Sequence, residues 1–86
     1  MNMNNKILVR VIVPCLEQEF EMFIPISKRI SEIIKLIEKA LNEITHGYYI
    51  EKSETLLIDY DTGNVFDINI TVKDSKLENG SKIILI

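Results

Sequence analysis

Apolar residues, many of them β-branched, dominate two segments in the first third of the chain, and a period of two assigns their side chains to the two faces of β-strands. A polar turn at 14–19 separates two such segments, 6–13 and 20–26, which together predict an antiparallel hairpin. Pro25 lacks a backbone N–H, so the second strand is predicted to lie at an edge of its sheet. One face of the first segment is apolar and β-branched throughout: Ile7, Val9, Val11 and Val13.

A helical period replaces this alternation after residue 27. Apolar residues that recur every three or four positions predict one long helix ending near Asn42, with a stripe of Ile30, Ile33, Ile34, Ile37 and Leu41. Ser27 is predicted to cap the first turn. Lys28 and Arg29 then fall in that turn, where positive charge opposes the helix dipole. Two interpretations stay open for this pair: solvated surface charge, or a contact for an acidic partner.

The second half of the chain predicts shorter elements. We expect a loop over 42–53, a strand over 55–58 and another over 65–67, the two strands being separated by the Asp, Gly and Asn residues of a tight turn. A short turn of helix and a left-handed corner at Gly80 then precede a final apolar strand. Because central strands are the most hydrophobic ones, the first and last strands are predicted to lie in the middle of the sheet.

These elements predict an α+β fold in which a mixed sheet of four to five strands packs on one long helix. The apolar stripe of the helix should cover the sheet face that carries Ile83, Leu85 and the β-branched face of the first strand. Eighty-six residues, 47% of them hydrophobic, support one core. We therefore predict a flexible N-terminus over 1–5 and a single domain over 6–86.

Charge and composition narrow the functional classes. The net charge is −3, and the ten basic residues form no run longer than two, which argues against a nucleic-acid partner. The single cysteine, Cys15, excludes an intrachain disulfide and fits a reducing compartment. No apolar stretch approaches the roughly 20 residues of a membrane span, so we expect a cytoplasmic protein without membrane insertion.

Candidate catalytic chemistry is sparse. The chain contains no P-loop, dinucleotide glycine fingerprint or CxxC pair, and its one histidine, His46, cannot form a zinc set with Cys15 in a monomer. Asp61-Thr62-Gly63 matches the triplet of aspartic proteases, and a homodimer could supply the second carboxylate. Such proteases are almost entirely β, however, and a turn explains the triplet. A partial calcium-loop spacing in the same place has Ile70 where a bidentate carboxylate is needed. We expect no enzyme, cofactor or metal, and keep the homodimeric protease as an alternative.

Three segments carry a resemblance to a known family: 20–25, 30–37 and the ending 77–86. Across nearly the whole chain the pattern resembles the ubiquitin-like β-grasp fold, and more narrowly the YukD/EsaB family of small ubiquitin-like proteins encoded with bacterial type VII secretion systems. The resemblance implies a non-enzymatic accessory protein that binds components of the secretion machinery. No diglycine follows Ile86, so conjugation is not expected. The loop at 42–53 looks longer than its counterpart in that family, which leaves an adaptor of another pathway as an alternative.

The expected working surface is the outer face of the sheet, because in this fold the helix covers only the other face. The resemblance to ubiquitin-like proteins implies the same surface, because such domains commonly bind partners there. Contiguous exposed apolar residues mark interaction sites, whereas scattered ones do not. A second copy of the chain could also cover this face as a homodimer. We predict an apolar patch edged by two cations: Leu8, Arg10, Ile12, Leu57 or its neighbours on the third strand, Lys82, Ile84 and Ile86.

Overall fold

The computed structural model describes residues 5–86, in which a four-stranded mixed sheet packs on one long helix. The predicted N-terminal segment 1–5 lies outside the described residues except for Asn5. The strand order is β2-β1-β4-β3, with β1 parallel to β4 and the other pairs antiparallel. The α+β fold and the central position of the first and last strands are thus confirmed. The elements are β1 Lys6–Val13, a 3-10 turn Pro14–Leu16, β2 Gln18–Pro25, α1 Ile30–Ile44, β3 Leu57–Asp59 and β4 Lys82–Leu85.

The core lies between α1 and one face of the sheet, as predicted. Ile7 packs against this core from a half-buried position at the start of β1. Isoleucine is only a middling helix former, so burial stabilises α1; each fully buried side chain contributes roughly 1.5–3 kcal/mol. The buried side chains are Val9, Val11, Val13, Ile83 and Leu85 from the sheet and Ile30, Ile33, Ile34, Ile37 and Leu41 from the helix.

The position of β2 explains how the hairpin tolerates Pro25. The N–H of Ile26 donates to the carbonyl of Asn5 at 2.9 Å. Because hydrogen-bonded and non-hydrogen-bonded pairs alternate along an antiparallel ladder, the backbone groups of Pro25 face away from β1. The N–H that proline lacks would therefore have no partner in the sheet. The prediction of an edge strand is confirmed.

The start of α1 differs from the prediction. The helix begins at Ile30, with Arg29 as its capping residue, so Ser27 is not the cap and Lys28 and Arg29 precede the first turn. The side chain of Glu32 accepts a 3.0 Å hydrogen bond from the Arg29 N–H, which is one half of a capping box. The carboxyl group of Glu32, in the first turn, also carries the charge that the helix dipole favours there.

The segment after β3 supplies the remaining caps. The carbonyls of Ile70 and Ile68 accept hydrogen bonds from the first helical N–H groups, of Ile30 and Ser31, at 2.9 and 3.0 Å. These groups lack partners within their own helix, so a neighbouring segment replaces the predicted serine.

The prediction of a strand over 65–67 is wrong. Val65 forms one bridge with Ile58, after which the chain leaves the sheet. The carboxyl group of Asp67 accepts a bond from the Asn69 N–H at 2.9 Å, and the resulting turn redirects the backbone toward the helix. Gly80 has a φ of 93°, which confirms the left-handed corner before β4.

Candidate protein-binding face

Three isoleucines lie side by side on the sheet face that α1 does not cover. The register pairs Ile12 of β1 with Ile84 of β4, and Ile84 with Ile58 of β3. Each of the three is half-buried. Leu56 and Ile86 exchange backbone hydrogen bonds of 3.0 and 3.4 Å, which extends the row beyond the strand ends. We define the outer apolar cluster as Ile12, Leu56, Ile58, Ile84 and Ile86.

Leu57 does not belong to this face, and its predicted role as a contact residue is wrong. Its exposed fraction is 0%, and it pairs with the buried Leu85. Successive side chains of a strand point to opposite faces, so a shift of one residue moves an entire set from one face to the other. The outward positions of this segment are Leu56 and Ile58, the neighbours that the prediction left open as the alternative.

Leu8 lies on the outer face but away from the cluster. Its register partner is Phe23, which is 66% exposed. The next outward position along β1 is Arg10, with Glu21 and Lys82 as its neighbours on the adjacent strands. This charged row separates Leu8 from Ile12, so the predicted single patch consists of two apolar areas.

The two predicted cations border the outer apolar cluster in different electrostatic states. Arg10 forms ion pairs with Glu21 at 3.3 Å and Glu19 at 3.7 Å. Such exposed pairs contribute about 0–1 kcal/mol. Lys82 has no carboxylate within 4.0 Å among residues 5–86, and its Nζ lies 4.6 Å from the centroid of the Tyr60 ring. Arg10 is therefore neutralised, whereas Lys82 presents a net positive charge beside an exposed aromatic ring.

The secondary candidates, Lys28 and Arg29, lie outside this face. Both are exposed, in the connection between β2 and α1. The carbonyl of Lys28 accepts a bond from the Val72 N–H at 2.9 Å, and Arg29 forms a bridge with Thr71. The structure therefore does not bring this pair together with Arg10 or Lys82.

The candidate chemical groups lie on separate segments. Asp61 is exposed in the turn after β3, where the carboxyl group of Asp59 accepts bonds from the Asp61 N–H at 3.2 Å and the Thr62 hydroxyl at 3.0 Å. His46 has a φ of 55° just beyond α1, and Cys15 is exposed between β1 and β2. Within residues 5–86 no three His, Cys, Asp or Glu side chains are grouped to hold a metal ion.

A buried carboxyl group on α1, that of Glu38, holds the long loop in place. Glu38 was not among the residues predicted to be functional. Glu38 is 2% exposed. Its Oε2 accepts hydrogen bonds from the Tyr49 hydroxyl at 2.6 Å, the Thr55 hydroxyl at 2.8 Å and the Lys52 N–H at 3.3 Å. Glu38 follows Ile34 by four residues, so its place beside the apolar stripe was a readable signal of burial.

The other end of the loop is tied to the last turns of α1. The Tyr49 N–H donates to the Thr45 hydroxyl, and the Asn42 amide donates to the Tyr49 carbonyl, both at 2.8 Å. Burial raises the pKa of Tyr49 well above its ordinary value, and the hydrogen bond to Glu38 and the charge of that group raise it further. The helix continues to Ile44, so the predicted start of the loop at 42 is two to three residues too early. The loop over 45–53 is an ordered part of the helix side of the protein.

No protein-family model matches the sequence, and no curated protein matches it. Among solved structures, the chain is similar to the N-terminal ubiquitin-like domain of the 4931431F19Rik protein, with a TM-score of 0.74 and 20% identity over 95% of this chain and 74% of that one. It is also similar to the ubiquitin-like domain of the type VII secretion protein EccD1 of Mycobacterium tuberculosis, with a TM-score of 0.73 and 10% identity over 94% and 97% of the two chains.

A third similar structure is a chain of the MycP5-free ESX-5 inner membrane complex, with a TM-score of 0.69 and 11% identity over 95% of this chain and 21% of that one. Such likenesses show the fold alone: the chain has the ubiquitin-like β-grasp fold. In residues 5–86 no helix is both long and apolar enough to span a membrane.

Proposed function

We propose that this protein is a ubiquitin-like binding module in the bacterial cytoplasm, an accessory or regulatory component of type VII secretion that acts by contact and not by catalysis. The observation that carries the proposal is the contiguity of the outer apolar cluster. Its members Ile12, Ile84 and Ile58 are direct neighbours across three strands. No other element of residues 5–86 covers this face, and adjacent apolar side chains on an uncovered face are typical of interaction sites.

The border of the cluster supports a specific contact. Lys82 and Tyr60 lie next to the isoleucines on the same face, so a partner can combine apolar burial with one charge-assisted contact. The pathway is supported by the resemblance to type VII ubiquitin-like proteins and by the similarity to the EccD1 domain and the ESX-5 chain. An adaptor of another pathway remains the alternative.

Pull-down from the native cell, read by mass spectrometry, tests both parts. Ile84→Glu places a charge in the centre of the cluster, and Ile68→Glu makes the same change on the helix side, where the Ile68 carbonyl binds the Ser31 N–H. We expect the unmodified protein and Ile68→Glu to capture type VII components, and Ile84→Glu to lose them while remaining folded by circular dichroism.

Three other outcomes would redirect the proposal. Unfolding of Ile84→Glu would show that Ile84 belongs to the core and that the faces are inverted. If the unmodified protein captures partners that Ile84→Glu loses, and none of them is a type VII component, the result would favour an adaptor of another pathway. A dimer in sedimentation experiments that Ile84→Glu dissociates would show that a second copy occupies the cluster.

A further inference from the structure

The two edges of the sheet differ in how far they are covered. Beside β3, the N–H of Phe66 donates to the Leu57 carbonyl at 2.9 Å, and the N–H of Asp59 donates to the Asn64 carbonyl at 2.8 Å. The segment 64–66 thus occupies that edge. β2 pairs only with β1 among the described residues. Within residues 5–86, one edge of the sheet is therefore open along a strand of eight residues.

The open edge has unused backbone groups. The residues of β2 that form non-hydrogen-bonded pairs with β1 direct their N–H and carbonyl groups outward. Glu19, Glu21 and Phe23 each offer both groups, and Pro25 offers a carbonyl only. Such an edge can accept an additional strand from another polypeptide.

Charge on the outer face specifies one side of that strand. Across the sheet the register places Lys82, Arg10 and Glu21 in one row, and Glu21 stands at the open edge. Glu19 adds a second carboxylate two residues away. Arg10 pairs with both carboxylates, at 3.7 and 3.3 Å, and its single positive charge leaves a net negative charge over the three groups. Opposite charges on directly paired residues stabilise a sheet, and like charges destabilise it. The strand that pairs with β2 should therefore carry basic side chains on this face.

The other face of the same strand should be apolar. Phe20 and Met22, on the inner side of β2, are only half-buried although they pack against the core. Leu36 and Ile44 are 48% and 53% exposed, and helical spacing places them on the flank of α1 opposite Glu38. The Glu38 flank is covered by the loop that leads into β3, and β3 and β2 are opposite edges of the sheet. This arrangement predicts that Leu36 and Ile44 flank the β2 edge.

We propose that the open edge of β2 binds an extended protein segment in which basic and apolar side chains alternate, as a fifth strand of the sheet. This site is independent of the outer apolar cluster. A second copy of β2 fits the edge poorly. In every antiparallel register of the outward residues, two carboxylates from Glu19 or Glu21 face each other or the pairing includes Pro25, which has no N–H to donate.

Amide NMR spectra of the full chain test this with a defined probe, a blocked hexapeptide of alternating lysine and valine. We expect saturable shifts of the Glu19, Glu21 and Phe23 amides. A hexapeptide of alternating glutamate and valine should produce much smaller shifts. Shifts confined to Ile12 and Ile84, or amide shifts that depend on protein concentration without peptide, would overturn the proposal in favour of the outer face or of a second copy.

A matched pair of variants isolates the backbone contact. Glu21→Ala and Glu21→Pro remove the same side chain, but only proline removes the outward N–H. Since one net backbone hydrogen bond is lost, Glu21→Pro should bind the lysine–valine peptide about two- to tenfold more weakly than Glu21→Ala. Equal affinities would contradict strand addition. Glu21→Lys keeps the N–H and should reverse the preference between the lysine–valine and the glutamate–valine peptide. If Glu21→Pro does not fold, this variant is sufficient as a test. An unchanged peptide preference in Glu21→Lys would overturn the proposal.

Discussion

The phenolic hydroxyl of Tyr49 donates a 2.6 Å hydrogen bond to Oε2 of Glu38, eleven residues earlier on the helix. Both side chains are nearly inaccessible to water, with exposed fractions of 5% and 2%. A hydrogen bond to a charged group is stronger than one between neutral groups, and a buried acceptor needs its donors. This contact therefore fixes a long loop without regular secondary structure against α1.

Tyr49→Phe should lower the free energy of unfolding by about 1.5–3 kcal/mol, because it removes this charge-assisted bond and leaves the ring in place. The control is Tyr48→Phe, the same change at a neighbouring ring that is 77% exposed. It should shift stability by less than about 0.5 kcal/mol. Urea denaturation measures both. Equal effects of the two changes would contradict the role of the Glu38 contact.

The raised pKa of Tyr49 predicts a pH dependence of stability. In the unfolded chain tyrosine loses its proton near pH 10, whereas the folded protein retains it to higher pH. Above about pH 10 the unfolded state therefore binds fewer protons, and stability falls as the pH rises. The Tyr49 contribution is fully present below that pH. We expect Tyr49→Phe to show a shallower loss between pH 10 and 12; identical slopes would argue against the shift.

The elements with strong periodicity were predictable from the sequence alone. The stripe from Ile30 to Leu41 determines the helix and its buried face. In segment 6–13 one face is β-branched throughout and the other is interrupted by Arg10, and this difference indicates which face is buried. The single hydrophobic helix and the two most apolar strands then determine which strands are central. For these elements, local pattern and tertiary burial favour the same structure.

The errors occur where tertiary contacts decide. Leu56, Leu57 and Ile58 form a continuous apolar run, so no alternation indicates which one faces the core. The carbonyls of Ile68 and Ile70, distant in sequence, complete the start of the helix, and Ser27 is not needed as a cap. These partners are not visible in a local window of the sequence.

Leu57→Ala and Leu56→Ala form a test of the corrected face assignment, because the two positions are adjacent and carry the same side chain. Leu57 is fully buried, so its truncation should destabilise the protein by about 2–5 kcal/mol. Leu56 is 43% exposed, and its truncation should lower stability by less than about 1 kcal/mol. Thermal or urea unfolding separates the two. A larger loss of stability for Leu56→Ala than for Leu57→Ala would show that Leu57, and not Leu56, lies on the outer face.

The start of α1 can be tested by removing each candidate cap. Ser27→Ala should leave stability within about 0.5 kcal/mol, since Ser27 lies outside the helix. Glu32→Ala should lower it by about 0.5–2 kcal/mol, because the Arg29 N–H loses its acceptor and the helix dipole loses a favourable charge. Urea denaturation in low salt measures both changes. A dominant effect of Ser27 would contradict the observed capping.

The alternative of a homodimeric protease gives the last prediction, because it depends on one residue. Two carboxylates that share a proton would have to come from Asp61 of two chains. Asp61 is exposed in a turn that the Asp59 carboxyl group holds, and the fold around it is α+β, unlike that of an all-β protease. We therefore expect that neither the unmodified protein nor Asp61→Asn cleaves fluorogenic peptides at acidic or neutral pH. Asp59→Asn is the matched control in the same turn. A peptidase activity that Asp61→Asn abolishes and Asp59→Asn retains would establish the enzyme and reject the binding module as the whole function.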